Sequence, residues 1–144
     1  MIRPHLDGIP QHPLPAGFSF RWWREGDRET WVRIHTLAEK LVPATAAVYD
    51  QQFGGNEREL ARRQAFLLEA TGCEIGTGTA WFDGEVGRVH WIAIVPEFQG
   101  RGLSKPLLTV VCTRLAELGH RRAYLTTDSR RAAALALYQS FGFR

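Results

Sequence analysis

The sequence predicts a mixed α/β domain in which antiparallel strands come first and a strand-helix-strand unit follows. Three observations carry this. The stretch "CEIGTGTAWFDGEVGRVHWIAIV" holds two apolar, β-rich runs divided by Asp83-Gly84, a hairpin turn signal, with Gly87 in the loop that follows. Beyond "VPEFQGRG", Leu103, Leu107, Leu108, Val110, Val111, Leu115 and Leu118 recur at i, i+4, i+7 and i+8, the spacing of one helix face, until Gly119. "AYLTTD" (residues 123–128) then reads as another strand, so a crossover helix joins one parallel pair.

The remaining elements follow in order. Pro4, Pro10, Pro13 and Pro15 fix φ and remove backbone donors, which predicts an extended arm over residues 1–17, laid on the surface or loose, ahead of a single domain at 18–144. "FSFRWW" suits a first strand, and Gly26-Asp27 signals a turn and a helix start. Trp31, Ile34, Leu37, Ala38 and Leu41 share a helical face that Pro43 stops. Val48, Tyr49 and Phe53 anchor an irregular or helical segment ending at Gly54-Gly55, and "NERELARRQ" suits a short helix capped by Asn56. "AFLLEATG" is the strand before the hairpin, and "RRAAALALYQSFGF" is a closing helix stopped by Gly142.

With 144 residues, 44% hydrophobic and 23% charged, the chain can bury a core as one domain. Its formal charge of +3, from 18 Lys and Arg against 15 Asp and Glu, is too small a surplus to imply nucleic acid without a basic stripe. Arg121, Arg122, Arg130 and Arg131 do not make one. Cys73 and Cys112 lack the spacing of a zinc site or a disulfide framework, so reduced thiols and no metal are expected. No apolar run suits a signal peptide or a membrane span, and a cytoplasmic protein is expected.

A strand that runs through glycines into a helix can bind phosphate, because the helix N-terminus presents unpaired N–H groups and about half a positive charge. Gly100 and Gly102 match neither GxxxxGK[ST] nor GxGxxG, since Lys105 stands where the third glycine of the latter belongs. Nucleotide P-loops and dinucleotide turns are thereby disfavoured. Instead Gln99-Gly100-Arg101-Gly102-Leu103-Ser104 resembles the Q/R-x-x-G-x-G/A signature of the GNAT superfamily of N-acetyltransferases, departing from it at Ser104. The resemblance spans roughly Phe18 to Phe143: "GTGTAWF" is similar to that family's third strand, "VHWIAIVP" to its fourth and "ALALYQSFGF" to its closing helix.

The resemblance implies acetyl-CoA as co-substrate, with its pyrophosphate cradled by the backbone of Gln99, Gly100, Arg101, Gly102, Leu103 and Ser104. It implies that an amide at Ile94 or Val95 holds the thioester oxygen, and that Tyr138 is the general acid that protonates the departing thiolate. The implied reaction is direct transfer of acetyl to a primary amine of a small molecule or peptide; a rival is a non-catalytic acyl-CoA sensor or interaction module. The residues themselves suggest further roles. His90, in period-two register with Ile92 and Ile94, is the candidate base or a structural histidine. Asp128 is the candidate amine contact, and Trp81 and Trp91 are candidates to line the acceptor cleft. Two departures matter. Arg131 stands where the family often has Asn, and the sequence stops at Arg144, directly after "FGF", short of the family's usual final strand; this implies either a truncated chain or an open edge that takes a strand from a second copy in a homodimer.

Overall fold

A computed structural model describes residues 1–38 and 41–144. Its strands are β1 (Ile2–Arg3), β2 (Ser19–Trp22), β3 (Gln64–Leu68), β4 (Glu74–Asp83), β5 (Val86–Ile94) and β6 (Ala123–Tyr124). Its helices are α1 (Asp27–Ala38), α2 (Ala46–Phe53), α3 (Glu57–Arg63), α4 (Ser104–Glu117) and α5 (Ala132–Ser140), with a single 3₁₀ turn at Pro96–Phe98. The six strands form one sheet in the order β1-β6-β5-β4-β3-β2, in which only β5 and β6 run parallel. The expected class, an antiparallel meander followed by a βαβ unit, is what the chain adopts.

Two apolar clusters cover the sheet. In one, the rings of Trp31, Tyr49 and Phe53 from α1 and α2 meet Trp81 and Trp91 of β4 and β5. In the other, Leu108, Val111 and Leu115 of α4 pack on Ala80 and Val89, joined by Tyr138, Phe141 and Phe143. Gly78 makes the second contact close: a Cβ there would lie 2.5 Å from Ile92 Cδ1 and 3.0 Å from Val111 Cγ2. A polar thread crosses the first layer, where the buried Tyr49 hydroxyl donates to Gln64 Oε1 at 2.9 Å and Gln64 Nε2 donates to Thr79 Oγ1 at 3.0 Å. Each partner is thus satisfied on burial.

Several local expectations change. Asn56 makes no side-chain cap, and the α2 cap is Thr45, whose hydroxyl accepts from the Val48 N–H at 3.2 Å. Gly87 lies inside β5, and β6 stops at Tyr124 instead of running to Asp128. The N-terminal residues do more than lie on the surface. Ile2–Arg3 pairs antiparallel with β6, and Ile2 and Arg144 exchange backbone hydrogen bonds of 2.7 and 2.9 Å. The outer edge of β6 is therefore occupied by this chain's own Ile2–Arg3. Arg3, itself buried, fastens the arrangement by donating to the carbonyls of His5 (2.8 Å), Asp7 (2.6 Å) and Phe141.

Candidate active site

The site begins with a fault in β5. Thr77 pairs with Ala93 and Thr79 pairs with His90, so two steps along β4 face three along β5. The surplus is a bulge around Trp91, whose φ of +51° is the sole positive value among the described non-glycine residues. Period-two alternation fails here. His90 meets Phe53 at 5.7 Å and Trp91 meets Trp31 at 5.1 Å, so two consecutive side chains contact the α1–α2 layer, while Ile92 reaches toward Val111 on the opposite face. The expected register of His90 with Ile92 is overturned.

Next, β5 and β6 part. Their pairing is limited to Gly87 with Ala123 and Arg88 with Tyr124, after which the strand ends diverge. Two adjoining clefts occupy the gap. One, of about 440 Å³, runs from Gln99, Gly100 and Ser104 at the glycine turn past Ile92–Ile94 to Tyr138. The other, of about 460 Å³, is walled by Arg88, His90, Trp91, Asp128 and Gln52, and it too reaches Tyr138. Tyr138 is common to both, together with His35, Ile92, Arg131 and Ala134.

At the glycine turn Gly100 and Gly102 adopt φ values of +74° and +76°, which a side chain would strain, and a Cβ at either would meet nothing within 4 Å. The backbone face is thus open. Leu103, the N-cap of α4, offers no side-chain hydrogen bond, so the first-turn N–H groups of Ser104 and Lys105 lack the usual protein acceptor. Pro106 sits in that same turn, where a missing N–H costs little. Open glycines leading to an uncapped N-terminus of a 14-residue helix suit a phosphate group. The side chains divide: Leu103 is buried in the core, leaving only its backbone for such a role, while the Arg101 guanidinium lies exposed over the Phe98 ring at 4.7 Å.

Of the two candidate amides, Val95 is engaged, its N–H donating to Ile75 O at 2.9 Å. Alternation along the strand turns the Ile94 N–H the other way, toward the side from which β6 has departed. The Ile94 carbonyl faces that side as well, where it accepts from Gln99 Nε2 at 2.8 Å. Buried Tyr138 has its pKa pushed up to about 12, first by desolvation, so its hydroxyl holds its proton at neutral pH. His90 is driven the opposite way, to about 3, by burial and then by the neighbouring charges of Arg88 and His35, and it shares a 2.7 Å hydrogen bond through Nε2 with Gln52 Oε1. It is neutral at pH 7.

Asp128 lines the second cleft, but Arg130 grips it with hydrogen bonds of 2.6 and 2.9 Å and holds its carboxyl well below the usual range. Trp91 also lines that cleft. Trp81 does not: it is a core residue, edge-on to Phe53 at 5.2 Å. Sequence reasoning missed His35, Gln52 and Arg88, which line the clefts. The His35 position follows Trp31 by one helical turn and was a legible signal; the other two depend on tertiary placement. Among the described residues no group of three or more His, Cys, Asp or Glu is placed to hold a metal ion, and no helix is long and apolar enough to cross a membrane.

The site is thus a sheet that opens between two parallel strands above a glycine-led helix. Residues 28–143 match the model of the Acetyltransferase (GNAT) family, and the chain belongs to that family. Among curated relatives, the mycothiol acetyltransferase of Thermobispora bispora is 28% identical over 160 residues, covering 99% of this chain and 52% of the relative. That of Streptomyces coelicolor is 31% identical over 156 residues, covering 99% and 48%. The chain thus spans about half the length of the curated relatives it matches. Among solved structures, a GCN5-related N-acetyltransferase from Sphaerobacter thermophilus superposes with a TM-score of 0.84 at 21% identity, over 98% of this chain and 46% of that one. The ribosomal-protein-S18-alanine N-acetyltransferase of Escherichia coli gives 0.73 at 21%, over 87% and 76%. Both likenesses bear on the fold.

Proposed function

We propose that this chain transfers an acetyl group from acetyl-CoA to a primary amine by direct transfer, without a covalent enzyme intermediate. The observation that carries the proposal is the meeting of two clefts at Tyr138, one led by the glycine turn and the other lined by polar side chains. Bound acetyl-CoA would supply the activated acetyl thioester. In this reading the N–H groups of Gly100, Arg101, Gly102, Leu103 and Ser104, with Gln99 alongside, hold its pyrophosphate against the N-terminus of α4. The Ile94 N–H is the donor for the thioester oxygen, and a preorganised backbone donor costs no reorganisation when charge develops there.

Tyr138 is the general acid in this scheme. A phenol that stays protonated through the neutral range, at the junction of both clefts, can pass its proton to a departing thiolate and is restored by the proton that the attacking amine gives up. His90 serves as a neutral wall of the acceptor cleft, tied to Gln52, because a group titrating near 3 accepts protons poorly at pH 7. Trp91 borders the acceptor, and Asp128, held by Arg130, is the carboxylate that lines the acceptor cleft. Cytoplasmic placement accords with this chemistry.

The test is release of coenzyme A thiol in the presence of a panel of primary amines, run on the wild type and Tyr138→Phe. We expect amine-dependent release in the wild type and a fall in kcat of roughly 10²–10⁴ in the variant, the usual worth of a positioned acid. Acetyl-CoA binding with no release from any amine would contradict transfer and leave the acyl-CoA sensor.

A further inference from the structure

Among the described residues, one cation of the acceptor cleft has no counter-ion. Arg88 lies on β5 two residues before His90, and its guanidinium stacks on the Tyr124 ring at 5.3 Å. Nη2 donates to Thr126 Oγ1 at 3.3 Å, while Nε is buried with no hydrogen-bond partner. Other arginines of the fold are neutralised: Arg21 by Asp27 and Glu74, Arg63 by Glu59, and Arg130 by Asp128. None of the ion pairs among the described residues involves Arg88. The carboxylate on the same cleft wall, Asp128, is already engaged by Arg130.

Among the described residues the surroundings do not offset the charge: His90 beside Arg88 is neutral. Holding an arginine half out of water with an orphaned Nε is costly unless another group completes the arrangement, and a guanidinium is the side chain best suited to an oxyanion. We propose that the amine acceptor carries an anionic oxygen group, a carboxylate or a phosphate, which pairs with Arg88 while the amine is presented to Tyr138. The inference rests on the transfer reading above and narrows its substrate class. A polyamine, which brings only positive charge, suits this cleft poorly.

Binding to the protein saturated with coenzyme A, where no turnover occurs, tests this directly. The probes are α-amino acids against their carboxamides and phosphoethanolamine against ethanolamine, with spermidine as the cationic control, each followed by calorimetry. We expect the anionic member of at least one pair to bind about tenfold or more tightly than its neutral partner, and the pair that responds tells carboxylate from phosphate. Rising salt should erode the preference, Arg88→Gln should abolish it and Arg88→Lys should retain part of it, with melting curves showing that the variants are folded. Because the wild-type comparison needs no variant, a misfolded Arg88→Gln leaves the inference exposed to refutation.

Equal affinity within both pairs, tighter binding of spermidine, no binding of any probe, or a preference that persists in folded Arg88→Gln would each overturn the inference. Failure of the transfer reading looks different: anionic probes bind with the preference intact, yet no amine releases thiol from acetyl-CoA.

Discussion

At the scale of single residues, desolvation sets two neighbouring groups in opposite directions. Tyr138 is pushed up to about 12 and His90 down to about 3, so both are uncharged at neutral pH. For His90 the consequence is a stability that depends on pH. The unfolded imidazole takes up a proton below about pH 6.5, whereas the folded one resists until about pH 3, so the unfolded state binds more protons throughout that window. Stability is full above pH 6.5 and falls with acidification, by up to about 1.4 kcal/mol per pH unit from this one group. Chemical denaturation at pH 7 and pH 5 should show this, and His90→Gln should flatten the slope. An unchanged slope would place the titration elsewhere. The expectation that His90 could act as a base drew on its residue type and strand position, and neither reports how fully a ring is buried.

At the scale of elements, the bulge in β5 and the pairing of β1 decide what the sequence could and could not convey. Glycines, prolines and apolar periodicity announced β4, β5, α4 and α5 near their observed bounds, because those signals are local. The bulge is different. Its positive φ falls on Trp91, a residue that carries no conformational signature of the kind glycine does, so alternation counted along "VHWIAIV" assigned Ile92 to the wrong face. Trp81 was misread because a strand position does not tell a ring that borders a cleft from one packed in the core: Trp81 lies on the same side as His90 and Trp91 but is enclosed against Phe53. β1 is only two residues long, and its partners β6 and Arg144 lie at the far end of the sequence. No local pattern could announce it.

The β1 arrangement leads to a prediction at the same scale. Arg3 satisfies three carbonyls from within the protein, and charged donors contribute more than neutral ones. Arg3→Ala should destabilise the fold by roughly 2–4 kcal/mol, with loss of protection first in Ile2 and the residues around Tyr124. Urea denaturation and amide exchange would measure both. A change under about 0.5 kcal/mol would mean that the N-terminal residues contribute little to the sheet edge.

At the scale of the whole molecule, the divergence of β5 and β6 joins two clefts, the proposed coenzyme and acceptor sites. The fold and the glycine turn were legible in advance because a glycine motif, a strand before it and a helix after it are all contiguous. The acceptor side was less so, being assembled from α1, α2, β5, the segment after β6 and α5. If the glycine turn holds acetyl-CoA, ligand at about 100 times its Kd should stabilise the fold by roughly 2.7 kcal/mol, seen as a raised Tm. Tyr138→Phe should show the same rise, since its loss affects proton delivery and not the phosphate cradle.

The most direct measurement is a calorimetric titration of acetyl-CoA into the wild type and into Gly102→Glu. The substitution meets open space at Cβ, but its φ of +76° adds roughly 1–2 kcal/mol of strain, so a melting curve should accompany it. Saturable binding in the wild type, lost in a folded Gly102→Glu whose carboxylate occupies the cradle, is the predicted result. No binding in the wild type, or equal affinity in both proteins, would contradict the claim that the turn before α4 is the coenzyme site.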